Sequence, residues 1–461
     1  MFQFFEDGKV LIVADDLTGA NDAAVQFAET GLETVTLLEP GELACPSPIA
    51  QGTRVVAVST ESRNTDPAGA DEAVRSVLSQ VFPVFPAQTI FKKIDSTLRG
   101  NIEAELIALC DVAGAGPSTP VILSPAFPSN GRTVSGGYVL VQGVPLSQTF
   151  AGRDTLAPVR SSRVDSVFTK WRDKVGNVCF SVLEQGEESI RAEIKRLIAA
   201  GKPVIIGDAL TDEDLVLVVR SALSLGRRLI WAGSAGLARA LARTISAFIS
   251  APPSEPVSAS GWASTRDITS ASSDVPVAAK PVSGPAPARG RTLVLFGSLN
   301  PASAAQVEYA KRASACRVIE APHDLDPAAT CEEIESLTSG GQVAGDLAVV
   351  SYNVPRHGPP DEMARRVKAY FASVAQRVMR GKAFSSMVLS GGDVGRAVLS
   401  GLGITCMTVE KEVLPGIAFG RACDGEFAGT GIVTKAGGFG DAGALLRILT
   451  WMSTNGKVVE S

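Results

Sequence analysis

Five apolar residues, Val10-Leu11-Ile12-Val13-Ala14, run without interruption into two carboxylates, Asp15-Asp16, and then Leu17-Thr18-Gly19. A run this short and unbroken suits a strand buried on both faces of a parallel sheet, because a half-exposed strand would alternate. Similar runs recur at 54–58, 89–94, 120–123, 203–206 and 228–232, with helical periodicity at 19–30, 71–80, 102–110, 187–200 and 235–248. A Pro-, Ser- and Ala-rich stretch at about 251–290 has no apolar periodicity and reads as a linker. Beyond it the runs resume at 292–296, 346–351, 386–390 and 430–434, with helical patterns at 301–313, 361–380 and 441–452. Strands alternating with helices on both sides of a linker predict two three-layer α/β domains with mostly parallel sheets, residues 1–250 and 291–461.

The 461 residues carry a net charge of −5, which gives no basic footprint for nucleic acid or an anionic membrane. Two histidines, His323 and His357, make a His-built metal centre or a Ser-His-Asp hydrolase hard to assemble. Seven scattered cysteines without a Cys-x-x-Cys pair read as small core residues in a reducing compartment. No apolar stretch is long enough to span a bilayer, and the first residues lack the basic start and cleavage site of a signal peptide. These features predict a cytoplasmic protein with small-molecule partners, no nucleic acid and no membrane; a homo-oligomer stays open.

At the end of its strand, the Asp15-Asp16 pair occupies the edge where open α/β sheets place ligands. A helix cap beside a solvated neighbour explains the pair equally well. A second cluster, Lys92-Lys93-Ile94-Asp95-Ser96-Thr97-Leu98-Arg99-Gly100-Asn101, follows another apolar run and favours a site for a small, polyhydroxylated anion. Thr18 or Asn21 would cap the helix after the first strand, leaving its N–H groups to an anion. Arg63 is a natural fork for a carboxylate, or else a surface arginine. The loop from Ser124 to Thr133, with two prolines, Gly131 and Arg132, reads as a rigid wall or a plain turn. Arg153-Asp154 and Asp208 read as structural.

After the linker, glycine turns follow three apolar runs: Gly297-Ser298, Ser390-Gly391-Gly392-Asp393-Val394-Gly395, and Ala436-Gly437-Gly438-Phe439-Gly440. Glycines let backbone N–H groups close around a phosphate, so three such turns point to a nucleotide. Gly438 to Gly443 formally matches the dinucleotide fingerprint, but the chain ends too soon for the second strand and acidic residue that motif needs. No Gly-Lys pair is followed by Ser or Thr, which excludes a standard P-loop.

Several of these segments, in order, resemble the four-carbon acid sugar kinases over nearly the whole chain outside the linker. They are Ala14 to Ala20, Ser62-Arg63, Lys92 to Gly100, Pro125 to Arg132, Arg153-Asp154, Trp231 to Leu237, Gly297-Ser298, Ser390 to Asp393 and Lys435 to Gly440. Members of that family join an acid-sugar-binding domain to a nucleotide-binding domain and use ATP to phosphorylate threonate, erythronate or 3-oxo-tetronate at the 4-hydroxyl. The resemblance implies substrate contacts at Asp15, Asp16, Arg63, Lys93, Ile94, Asp95 and Ser96, and Arg99 joins them from the same cluster. It implies ATP contacts at Ser298, Gly391, Gly392, Asp393, Val394 and Gly437 or Gly438. The family usually carries Thr where this chain has Val394, so one hydroxyl donor is missing.

Phosphoryl transfer to a primary alcohol depends on placing the acceptor in line and neutralising charge. Asp15 or Asp16 is the candidate base or hydroxyl-orienting group, with Asp95 as the alternative. Mg²⁺ would bridge the phosphates, with Asp393 its candidate ligand. Sites on separate domains predict closure on binding. A sensor that retains both sites without turnover, or a nucleotide-dependent dehydrogenase using the last glycine turn, are the rival readings. Choosing among the three acids depends on pocket shape at the ångström level.

Overall fold

The computed structural model describes residues 8–38, 49, 52–115, 119–153, 158–250, 291–298, 300–313, 316–339, 347–351 and 360–454. The linker expected at 251–290 and Asp154 lie outside them. The first part contains strands β1 (Val10–Ala14), β2 (Thr34–Leu37), β3 (Val55–Ser59), β4 (Thr89–Lys93), β5 (Val121–Ser124), β6 (Arg132–Ser135), β7 (Tyr138–Val141), β8 (Val144–Pro145), β9 (Val175–Val178), β10 (Val204–Gly207) and β11 (Ile230–Gly233). Its helices are α1 (Leu17–Ala28), α2 (Pro67–Val81), α3 (Ile102–Val112), α4 (Phe180–Leu183), α5 (Glu187–Ala199), α6 (Asp212–Leu223) and α7 (Ala235–Ser250).

The second part contains β12 (Arg291–Phe296), β13 (Arg317–Glu320), β14 (Leu347–Ser351), β15 (Phe384–Ser390), β16 (Cys406–Val409), β17 (Lys411–Leu414), β18 (Ile417–Arg421) and β19 (Gly431–Lys435). Between and after them lie α8 (Pro301–Arg312), α9 (Pro327–Ser339), α10 (Pro360–Arg380), α11 (Gly392–Gly401) and α12 (Ala444–Ser453).

A nine-stranded sheet runs β16-β2-β3-β1-β4-β11-β5-β10-β9 and a seven-stranded sheet runs β13-β14-β12-β15-β19-β18-β17. The first is parallel except for β16, and the second is parallel from β13 to β19 with β18 and β17 antiparallel. This is the two-domain α/β architecture that the alternating runs predict. Every residue of β1, β3 and β4 is buried; β1 is apolar throughout, whereas β4 ends in Lys92 and Lys93, buried with partners of their own. Each fully buried Val, Leu or Ile contributes roughly 1.5–3 kcal/mol relative to exposure.

Helix starts follow local chemistry. Asp66 and Asn300 cap α2 and α8, each ahead of a proline, and Thr211 with Asp214 forms a capping box on α6. Helix α1 is capped by Asp16, whose side chain accepts from Gly19 N, so neither Thr18 nor Asn21 is the cap. Thr18 donates to Asp16 instead, and Asn21 bonds across the molecule.

Strand order explains where the polar residues gather. In the first sheet the chain builds β2 and β3 on one side of β1 and then crosses to β4 on the other. In the second it builds β13 and β14 beside β12 and then crosses to β15. Each reversal opens a crevice at the carboxyl ends of two neighbouring parallel strands, where ligands bind in such sheets. Asp15-Asp16 and Ile94-Asp95 border the first crevice, and Ser298 and Gly391 border the second.

Candidate functional site

In the first crevice Arg63, just beyond β3, forks onto Asp15 with Nε and Nη2, each at 2.8 Å, and reaches Asp16 Oδ2 with Nη1 at 2.5 Å. The expected carboxylate fork is thus engaged with two of the chain's own carboxylates. Burial alone would raise the Asp15 carboxyl, but the charge and hydrogen bonds of Arg63, with Lys92 and Lys93 nearby, hold it below the usual range. The opposing carboxylates push Arg63 well above its ordinary value despite burial. Lys92 is fully buried on Glu105 at 2.8 Å and is structural. Lys93 donates to Ile94 O at 3.1 Å and lies 3.7 Å from Asp22 Oδ2.

Asp95 accepts from Arg99 Nε and from Thr97 Oγ1, the latter at 2.9 Å. Burial opposes its ionisation, yet Arg99, Arg63 and Lys93 hold it well below the usual carboxylate range. Ile94 and Ser96 are buried beside it. Glu61 and Leu98 adopt left-handed backbone with φ of 50° and 59°, strain that non-glycine residues carry where surrounding structure imposes it. Asp208 accepts from the backbone of Gly136, Gly137 and Phe180, and Arg153 donates to Gln148 O, both as structural partners.

On the other side, the three glycine turns converge on Ser298. A Cβ at Gly437 would fall 1.9 Å from Ser298 Oγ, and one at Gly391 would lie 3.5 Å from Ser298 N. Gly438 packs against Asn300, which caps α8. Gly391 (φ 106°) stands at the start of α11, so Gly392, Asp393 and Val394 form its first turn with free N–H groups. Val394 is buried, and a Cβ on Gly297 would meet its Cγ2 at 2.2 Å, so the valine clasps two turns together. Helix α12 follows the last turn, and β19 then neighbours antiparallel β18, not a further parallel strand. That is not a dinucleotide-binding unit.

Lys435, fully buried at the end of β19, was not singled out by sequence reasoning. Its ammonium donates to the carbonyls of Ala436, Gly437 and Phe439 at 3.0, 3.2 and 3.1 Å. Burial pulls it down to about 7, while the three carbonyls favour the protonated form. Those three carbonyls pin the turn from inside, and the Phe439 N–H closes it on Ala436 O at 3.1 Å.

The two crevices face one another. A Cβ on Gly392 would lie 3.0 Å from Asp16 Oδ2 and 3.4 Å from Thr18 Oγ1. The expected closure on binding is therefore not needed to bring the two sites into contact, because they already touch. Asn21 Nδ2 donates to Thr434 Oγ1 at 3.0 Å, and Gln26 and Arg239 both bond Glu412. Arg132 is 7% exposed, stacks on Phe439 with 5.4 Å to the ring centroid, and leaves Nε buried without a partner among the described residues. Burial raises Glu61 to about 7, aided by the charges of Asp16 and Asp393 and opposed by the Ser59 hydrogen bond and Arg396.

Asp22, Glu61 and Lys435 thus lie at the site beyond the expected residues, while Arg132 comes from the loop already read as a wall. A signal for Asp22 was present, since Thr18, Asp22 and Gln26 recur at four-residue spacing on one face of a helix whose only other polar side chain is Asn21.

A sugar-binding N-terminal domain model matches residues 10–241, and a nucleotide-binding C-terminal domain model matches residues 293–445. The chain is 32% identical to a D-threonate kinase of Bordetella bronchiseptica, covering 95% of both chains. It is 30% identical to a D-erythronate kinase of Heliobacterium modesticaldum, covering 96% of this chain and 97% of that one. A 3-oxo-tetronate kinase of Brucella melitensis is 26% identical, with 94% and 93% covered. Among solved structures, a Salmonella typhimurium protein described as a tRNA synthase shares the fold with a TM-score of 0.72 at 22% identity, covering 96% of this chain and 98% of that one.

Proposed function

The chain belongs to the four-carbon acid sugar kinase family, and on that premise we propose that it transfers the γ-phosphoryl group of ATP to the 4-hydroxyl of threonate, erythronate or 3-oxo-tetronate. The observation that carries this reading is the position of Asp16, whose carboxylate lies against Gly392 at the first turn of α11. An acid sugar held by the first crevice would meet phosphates held by the second with no gap to cross. Phosphoryl transfer needs that in-line juxtaposition above all.

Lys93 and Arg99 supply positive charge for the acid, and Asp15, Asp16, Asp95 and Ser96 orient its hydroxyls beside buried Ile94. Arg63 fixes the two aspartates and leaves two of its five N–H groups for the acid. Ser298, Gly391, Gly392, Asp393, Val394, Gly437 and Gly438 cradle the nucleotide through backbone N–H groups and one hydroxyl. The Val394 N–H serves where the family's usual threonine would add a hydroxyl, and its side chain closes the turn on Gly297.

No three His, Cys, Asp or Glu side chains among the described residues converge as a metal cage. Mg²⁺ carried mainly by phosphates needs only one or two carboxylates, and Asp393 in the first turn of α11 fits that donor set. When bound, Mg²⁺ supplies neutralisation of phosphate charge. No helix among the described residues is long and apolar enough to cross a membrane, and the free cysteines suit a reducing cytoplasm.

The test is ADP release with ATP and Mg²⁺ against D- and L-threonate, D- and L-erythronate and 3-oxo-tetronate. Turnover on one or two of these is the expected result. Silence across the panel with ATP still bound would overturn the reading.

A further inference from the structure

Every buried polar atom needs a partner, and one that lacks it marks a place where something else belongs. Asp22 is 4% exposed, and its Oδ1 has no hydrogen-bond partner among the described residues. Its other oxygen lies 3.7 Å from Lys93 Nζ, too long for a hydrogen bond. The free oxygen faces the β17–β18 turn, where a Cβ on Gly416 would lie 3.3 Å away and would also strike Phe439. Across the same space stands Arg132, stacked on Phe439, with its own buried Nε unpartnered. An orphan acceptor and an orphan donor beside Lys93 frame a place for a group that both donates and accepts. A hydroxyl is such a group.

The three carboxylates that the sequence offers as bases are poorly suited to receive a proton. Asp15 is forked by Arg63. Asp16 already accepts from Gly19 N, Thr18 Oγ1 and Arg63. Asp95 is held by Arg99 and Thr97. We propose that Asp22 is the catalytic base, its Oδ1 accepting the proton of the acid sugar's 4-hydroxyl, an inference that rests on the kinase reading above.

The step balances. The hydroxyl O–H bond breaks and its proton passes to Asp22, while the oxygen's electron pair forms the new bond to the γ-phosphorus of ATP. The bond from that phosphorus to the β-phosphate oxygen breaks, and ADP departs with the electron pair. Arg132, on the same space, meets the charge of the transferred group.

The electrostatic setting fits a base that must change state near neutrality. Burial raises Asp22 to about 7, with Glu412 and Asp16 pushing the same way and Lys93 and Arg239 opposing. Arg132 also feels its charge.

The experiment compares the native protein, Asp22→Asn and Glu61→Gln on the best acid of the panel from pH 5 to 9. The native rate should rise through about pH 7. Asp22→Asn should lose roughly a hundredfold or more in kcat, keep its ADP affinity and lose the rise. Glu61 is the other carboxylate near 7, so the rise must persist in Glu61→Gln.

Turnover of Asp22→Asn within about threefold of native, or a retained rise in it, would overturn the proposal while leaving the kinase reading intact. A native profile flat from pH 5 to 9 would overturn it without any variant. A native protein silent on every acid would overturn both.

Discussion

At the scale of single residues, the chemistry of this site is set by how charges are paired out of water. Arg63 has a side chain only 18% exposed and binds two carboxylates at once. Replacing it by Met would leave Asp15 and Asp16 side by side without their cation, a loss of about 3–5 kcal/mol for broken buried pairs. In the native protein the depressed Asp15 contributes stability present above the ordinary carboxylate value and lost as pH falls through its own lower value. Arg63→Met should reverse that slope, because two unpaired carboxylates favour protonation and the fold then weakens as pH rises. Urea denaturation at pH 4 and pH 8 reads the sign directly, and equal loss at both would reject the argument. Asp22 has the opposite linkage: raised to about 7, its stabilisation is full near pH 4 and lost as pH rises through 7. Asp22→Asn should therefore melt no lower than native at pH 8, with the difference narrowing toward pH 4. The sequence displays Asp15 and Arg63 as separate polar residues 48 positions apart, and only the register Ala14↔Ser59 brings them together. Asp22 was harder to read, since an aspartate inside a helix is ordinarily a solvated one, and only the burial of both faces of α1 removes that option.

At the scale of elements, unbroken apolar runs expose the central strands and hide the edges. Strands β1, β3, β4, β5, β10 and β11 lie within a residue or two of their runs, because burial on both faces favours apolar side chains, with Lys92 and Lys93 of β4 admitted by their partners. Strand β2 (Thr-Val-Thr-Leu) and strand β16 (Cys-Met-Thr-Val) interleave polar residues, so neither stands out. Helix α11 was hidden by its glycines, which the site needs: Gly391 for its positive φ and Gly392 for its approach to Asp16. The glycine turns were legible as a nucleotide cradle, but their convergence on Ser298 depends on the crossover from β14 to β15. This convergence can be tested at Gly437, where a methyl group would overlap Ser298 Oγ and force the last turn outward. Gly437→Ala should weaken ADP binding by roughly tenfold or more, about 1.4 kcal/mol, with its folding midpoint changed little. Calorimetric titration with ADP reads the effect, and native affinity would show that the turn does not shape the nucleotide site.

At the scale of the whole molecule, the two halves are woven together and not merely tethered. Strand β16 comes from the second half of the chain yet completes the first sheet by pairing antiparallel with β2, Cys406 to Leu37 through Val409 to Thr34. No composition or spacing announces such an exchange, because it pairs segments about 370 residues apart. Without β16, β2 would be an open edge, and Asn21, which bonds Thr36 in β2 and Thr434 in β19, would lose its contact with Met407 Sδ at 3.5 Å. Gln26, Glu412, Arg239 and Ser129 extend the same seam with bonds of 2.7–2.9 Å. Loss of either half therefore removes structure from the other, and the chain should unfold as one cooperative unit despite its two cores. Far-UV circular dichroism reports both sheets together, while among the described residues the tryptophans sit on the first core at Trp171 and buried Trp231 and on the second at Trp451 packed on Phe419. Heat-induced transitions followed by these probes should coincide, and Glu412→Ala, which removes the seam's shared carboxylate, should lower that common midpoint without splitting it. Two separated transitions in the native protein would mean that the halves stand independently. The contact of Asp16 with Gly392 would then be one arrangement among several, and closure on binding would return as the way the acid meets the nucleotide.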